Sequence, residues 1–185
     1  MLPDTPPTAA GTAGDSPRAV VRPAAGTIAW WLVAAIVVVD QITKLLVQRY
    51  IPLFDGVTVI PGLVDLIHIQ NAGVAFGFMN DVAHPYRFAL TTALAVAALV
   101  GIVYYARQIA PAERLARLGL SLILGGAVGN LIDRLRFGYV VDFIDVYQGE
   151  WHFWAFNVAD AAISCGAVLL FIELFFAGRH ASDPV

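Results

Sequence analysis

The sequence predicts an all-α integral membrane protein, four transmembrane helices carrying a small extracytoplasmic β-sheet, and three observations lead there. Hydrophobic residues make up 59% of the 185 positions and charged residues only 14%, whereas a soluble domain carries about 25% charged residues. Four apolar stretches each approach the roughly 20 residues needed to cross about 30 Å of hydrocarbon. Between the first and second, Gly56, Pro61, Gly62 and the Asn71-Ala72-Gly73 turn punctuate short β-branched runs, a pattern of strands rather than helix. A net charge of −3 with no Lys/Arg run gives no basic face for phosphates, which excludes a nucleic-acid partner.

Residues 1–26, rich in Pro, Ala, Gly and Thr, lack the apolar surface to offset the entropy of ordering and read as a disordered tail. The first span runs from Thr27 to Val47. It exceeds the apolar core of a secretory signal and no A-x-A-like site follows, so it is expected to stay uncleaved. Asp40 and Lys44 stand at i and i+4 within it, spaced to form an ion pair. From 51 to about 85, runs such as VTVI and LIHI predict a sheet at the membrane surface, because an open sheet edge cannot face lipid. Asn71 there reads as a turn former that tolerates a left-handed backbone. The second span, Phe88 to Tyr105, ends in an interfacial anchor of Tyr104, Tyr105 and Arg107.

The third span, Leu115 to Ile132, contains Gly125 and Gly129 as a GxxxG, which permits close helix approach. Asn130 and Asp133-Arg134 follow at its exit, the last two read as a local charge pair. Tyr139 to Val146 reads as an extended segment in which Asp142 shares a face with Val140 and Ile144, and Asp145 reads as a solvent-facing interface residue. The fourth span runs from Phe156 to about Phe176, with Ala162 and Gly166 a second small-xxx-small pair. The membrane domain is thus expected over 27–178, with sheet at about 51–85 and 139–146 and a short polar tail over 179–185.

Four spans return both termini to one side. With that side cytoplasmic, Arg107, Arg114 and Arg117 join Arg18, Arg22 and Arg179 inside, against Arg49, Arg87, Arg134 and Arg136 outside, in keeping with the positive-inside rule. Asp40, Asn71, Asn130, Asp142 and Asp160 then fall at one membrane level. An ionised Asp at a helix centre costs roughly 2.5 to 3.5 kcal/mol, so such a gathering marks a functional site. Asn157 and Asp160, at i and i+3, place an amide beside a carboxylate. Two acids brought together in a partly dry site cannot both ionise cheaply, and one keeps a proton. That supplies a general acid and a general base. Residue chemistry alone leaves Asp40, Asp133, Asp142, Asp145 and Asp160 all as candidates.

Other chemistries have less support. Lys44 is the only lysine, and Ser121 and Ser164 read as helix-packing residues, which disfavours a Ser/Lys dyad. His68, His84, His152 and His180 are scattered without metal-ligand spacing. Cys165 reads as a small packing residue. A transporter or proton channel would distribute polar residues across the bilayer or repeat them between halves, and neither pattern is present. A scaffold subunit would use the glycines but leave the acids idle.

Four segments in order, DQITK (40–44), NAGVAFG (71–77), GGAVGNLIDRLRFGYVVDFIDV (125–146) and FNVADAAI (156–163), resemble the signal peptidase II family of bacterial lipoprotein signal peptidases. The resemblance covers the chain from the first span to the fourth. It implies an intramembrane aspartic endopeptidase of the bacterial inner membrane, with a small β-cradle and a site near the extracytoplasmic face. Its substrates would be prolipoprotein signal peptides bearing a diacylglyceryl-Cys, cut before that Cys of the lipobox. Membrane lipids and globomycin-type inhibitors would be its other partners, and no metal or organic cofactor is implied. Carried over by motif, Asp142 and Asp160 are the catalytic pair. Asp40, Lys44, Asn71, Gly125, Asn130, Asp133, Arg134 and Asn157 match positions that line or brace the site.

Overall fold

A computed structural model of the chain describes residues 28–73, 86–108 and 113–180. The expected tail over 1–26, the end of the NAGVAFG segment with the rest of the surface stretch to 85, and residues 181–185 lie outside the described residues. Four helices, α1 (Trp30–Tyr50), α2 (Arg87–Ala106), α3 (Arg114–Phe137) and α4 (Val158–His180), are accompanied by four strands: β1 (Gly56–Ile60), β2 (Val64–Asn71), β3 (Val140–Gln148) and β4 (Trp151–His152). All four helices are long and apolar enough to cross a membrane. Half of the α3 span is buried, against 22% of α1, 6% of α2 and 17% of α4, so α3 is the central helix and packs on the other three.

Small residues set that packing. A side chain at Gly119 would meet the Gly166 carbonyl of α4 at 2.7 Å, and one at Gly125 would meet Ile36 of α1 at 2.9 Å. A Cβ on Gly126 would collide with the Ala159 carbonyl. Glycine is needed at these places because the helix backbones touch. Gly125 therefore seats α1 on α3, and the Ala162/Gly166 pair reads as an α4 face for the same helix. Ser121 contributes as expected of a packing residue: its hydroxyl accepts from the Ala29 N–H at 2.8 Å and donates to the Arg117 carbonyl at 2.7 Å. That satisfies one orphan donor at the α1 entry, where Ala29 has no capping side chain of its own.

The third helix runs five residues beyond the expected Ile132, which puts Asp133 and Arg134 inside its last turns. Gly138 ends it in a left-handed conformation, φ 80°, with its N–H on the Arg134 carbonyl at 2.9 Å. This turn aims β3 back across the helix ends. The sheet is antiparallel in the order β1-β2-β3-β4. β3 is covered on both faces: Val141 and Phe143 pack with Val47 and Ile51 at the end of α1, while Val140 and Asp142 turn to the opposite side and line a cavity. The outer strand β1 is exposed along its whole length, as a surface-lying edge requires. β4 was not anticipated. It pairs Tyr147 with His152 and Gln148 with Trp151, and His152 Nδ1 lies 2.8 Å from the Asp145 carboxylate. Asp145 is consequently buried, not solvent-facing as expected.

Gly119→Leu and Gly166→Leu should each lower stability by about 1–3 kcal/mol or more. Thermal unfolding in detergent reads this out, with Gly101→Leu as the control, since a Cβ there meets nothing within 4 Å.

Candidate active site

The α4 start is where the site is built. Asn157 precedes the helix; its Oδ1 accepts from the Asp160 N–H at 2.9 Å while Asp160 Oδ2 accepts from the Asn157 N–H at 3.3 Å. This reciprocal pair is a capping box, and it fixes the Asp160 carboxylate against the positive end of the helix dipole. The Asn157 amide nitrogen is left free to point elsewhere. It donates to Asp142 Oδ1 at 2.7 Å, so the amide steadies the other acid and not its i+3 neighbour. One asparagine thereby joins the two carboxylates across β3 and α4.

Asp142 arrives from the sheet. Ile69 lies opposite Asp142 and Asn71 opposite Val140, which makes Asn71 a diagonal neighbour of Asp142 on the same face. The Asn71 amide nitrogen donates to Asp142 Oδ2 at 3.0 Å. Asn71 is the last residue of β2, outside the left-handed region expected of a turn former, and its Oδ1 accepts from the Gly73 N–H at 3.0 Å. Asp160 Oδ1 in turn accepts from the Asn130 amide nitrogen at 2.8 Å. Arg134 donates to the carbonyls of Asn130 and Gly73, at 3.4 and 3.3 Å.

Asp142, Asp160, Asn71, Asn130 and Arg134 all line one cavity of about 580 Å³, within the usual range for ligand sites. Its remaining wall is largely apolar, with Ala95 and Ala98 from α2, Ala127 from α3 and Ile163 from α4. Phe153, Trp154 and Phe156 close the side toward the sheet. Sequence reasoning passed over these aromatics as a polar link; their density within 151–156 was the available signal. Cys165 is exposed and lies on this wall, so it is not packed between helices as its Ala/Ser/Gly-rich surroundings implied.

The remaining expected site residues stand behind the cavity. Lys44 Nζ lies 2.9 Å from Asp40 Oδ2 and 2.9 Å from Asp133 Oδ2. The i, i+4 pair foreseen in α1 is thus a triad, and Asp133 pairs with Lys44 rather than with adjacent Arg134. Gln41, not singled out from the sequence, donates to Asp133 Oδ1 at 2.9 Å. Asp40 Oδ1 accepts from the Ala159 N–H at 2.9 Å, a second anion at the α4 start. Asp133 Oδ2 accepts from the Val141 N–H at 3.2 Å, one residue from Asp142. Asp40, Lys44, Asp133, Gly125 and Asn157 are braces that do not line the cavity. Among the described residues no group of three or more His, Cys, Asp or Glu side chains is placed to hold a metal ion.

Burial pushes the Asp142 carboxyl from 3.8 up to about 7; the charge of Asp160 adds to the rise, and the amide donors Asn71 and Asn157 oppose it. A carboxyl of that kind keeps or yields a proton near neutrality.

Fold and site together define a multi-pass membrane protein with a paired-acid pocket at one end of its helix bundle, the form of a small membrane enzyme. A family model described as Signal peptidase (SPase) II matches residues 32–176. The chain belongs to the signal peptidase II family. It is 44% identical over 158 residues to the lipoprotein signal peptidase of Solibacter usitatus, covering 84% of this chain and 94% of that one. It is 44% identical over 147 residues to that of Geobacillus kaustophilus, covering 80% and 92%. A bacterial membrane enzyme solved by the in meso method superposes with a TM-score of 0.74 at 27% identity, over 84% of this chain and 92% of the other.

The raised Asp142 value has a consequence for stability. Its protonated form favours the folded state, a contribution fully present below 3.8 and lost as pH rises through about 7. Asp142→Asn should flatten that decline. Melting temperatures of the two proteins in detergent, compared from about pH 4 to pH 8, should differ most at the alkaline end, with the variant the more stable there.

Proposed function

We propose that this chain is an intramembrane aspartic endopeptidase that removes signal peptides from bacterial prolipoproteins, with Asp142 and Asp160 as its catalytic pair. The observation that carries the reading is the meeting of these two acids, one from β3 and one from α4, on a single cavity, joined by the Asn157 hydrogen bonds. The names of the relatives supply the substrate class. The bond cut is the one before the lipobox Cys that already bears a diacylglyceryl group. The apolar wall of the cavity suits such a lipidated chain.

The reaction follows from one proton held between two acids. The ionised member takes a proton from water as the water oxygen attacks the scissile carbonyl carbon. The protonated member gives its proton to the carbonyl oxygen, and a neutral tetrahedral diol results. On collapse the C–N bond breaks: the acid that took the water proton gives it to the departing amine, the other acid takes a proton from a diol hydroxyl, and the pair returns to its starting singly protonated state. Each assisted proton transfer is worth about 10²- to 10⁴-fold in rate. Asn71 and Asn130 donate to the two carboxylates and orient them, and the nearby Arg134 guanidinium compensates their charge. The protein resides in the bacterial inner membrane with both termini cytoplasmic, and the sheet and cavity face the extracytoplasmic side. Globomycin-type cyclic peptides compete for the same cavity.

Asp142→Asn and Asp160→Asn should each reduce cleavage of a diacylglyceryl-modified precursor by about 10²- to 10⁴-fold or more, with thermal unfolding showing that both variants remain folded. Cleavage at the wild-type rate in either variant contradicts the pair. Chelation with EDTA should leave the wild-type rate unchanged.

A further inference from the structure

Lys44 is 1% exposed and does not line the cavity, yet it is linked to both acids. An ammonium group has three donors and no acceptor, and all three are used: Asp40 Oδ2, Asp133 Oδ2 and Asn130 Oδ1, each at 2.9 Å. The third partner decides a polarity. A carboxamide has an acceptor end and a donor end, and the cation requires the acceptor end of Asn130. The Asn157 amide nitrogen reinforces the choice by donating to the same oxygen at 3.3 Å. The donor end of Asn130 is therefore turned to Asp160 Oδ1, 2.8 Å away. A flipped amide would set its N–H groups against the ammonium and its oxygen against a carboxylate. Both contacts are repulsive in a buried site.

We propose that Lys44 is a positioning residue for the peptidase reaction, which from outside the cavity locks the Asn130 carboxamide so that it donates to Asp160. The proposal rests on Asp142 and Asp160 being the catalytic pair. It separates Lys44 from the groups that touch substrate, and it gives the buried cation a task beyond neutralising Asp40 and Asp133. Because Asn157 donates both to Asn130 and to Asp142, the same polarity carries through to the second acid.

Lys44→Met alone would strand two buried carboxylates. The informative protein combines Lys44→Met with Asp40→Asn and Asp133→Asn, whose amide oxygens still accept from the Ala159 and Val141 N–H groups. With full-length enzyme in detergent and a diacylglyceryl-modified precursor peptide, its KM should stay within about twofold. Its kcat should fall about 10- to 100-fold, the value of one hydrogen bond to a charged group. That loss should largely vanish when both proteins also carry Asn130→Ala, since Lys44 acts through Asn130. Recovery of the wild-type kcat once the buried charges are gone, or a loss that adds in full to that of Asn130→Ala, overturns the proposal. Asn130→Asp tests the same link with Lys44 intact, because a carboxylate accepts from Lys44 and cannot donate to Asp160. A wild-type kcat in this variant overturns the proposal. Cleavage at the wild-type rate in Asp142→Asn or Asp160→Asn overturns the pair assignment instead, so the two failures are distinguishable.

Discussion

One buried cation organises this structure. Ionised groups among apolar helices are costly unless each is paired and hydrogen-bonded, and the Lys44 ammonium meets that condition with three partners on two helices. Its carboxylate partners then reach outward, Asp40 to the α4 start and Asp133 to the β3 backbone. Remove the ammonium and Asp40 and Asp133 become uncompensated charges inside the bundle, a loss of about 3–5 kcal/mol for a broken buried pair. The elements that carry Asp142 and Asp160 are thus referenced to a common point, which is how a residue on a strand and one on a helix come to share one cavity.

The glycines serve the same end by a different route. Where α3 touches α1 and α4, a Cβ would meet backbone or a neighbouring side chain, so the helices lie close enough for short polar side chains to span the gap. Gly129 shows the connection most directly. A Cβ there would fall 2.6 Å from Asp40 Oδ2, in the space that the carboxylate needs in order to reach Lys44. Close packing and polar contact at this level are one arrangement, not two.

Much of this is legible in the residues, because a membrane leaves few alternatives. Four apolar runs had to be helices, and acids placed at their ends at one level had to meet or be individually solvated. The capping box was also written locally, in Asn157 and Asp160 three positions apart before an apolar run. What spacing could not supply is partner choice. Asp133 sits beside Arg134 in sequence, yet α3 continues past both and turns their side chains to different faces, one toward Lys44 and the other toward the cavity. Asp145 was expected to face solvent, and the two-residue strand β4, too short to leave a period, brings His152 onto its carboxylate. The direction in which an asparagine amide points is likewise set by tertiary neighbours and not by any local pattern.

The central claim is that Asp142 and Asp160 hold one proton between them near neutral pH. Infrared spectroscopy of the protein with isotope-labelled aspartate resolves the protonated carboxyl band and tests the claim directly. The account predicts a protonated carboxyl near neutral pH, where burial has pushed Asp142 up to about 7, abolished or displaced by either Asp142→Asn or Asp160→Asn. No such band, or one that each substitution leaves untouched, would contradict it.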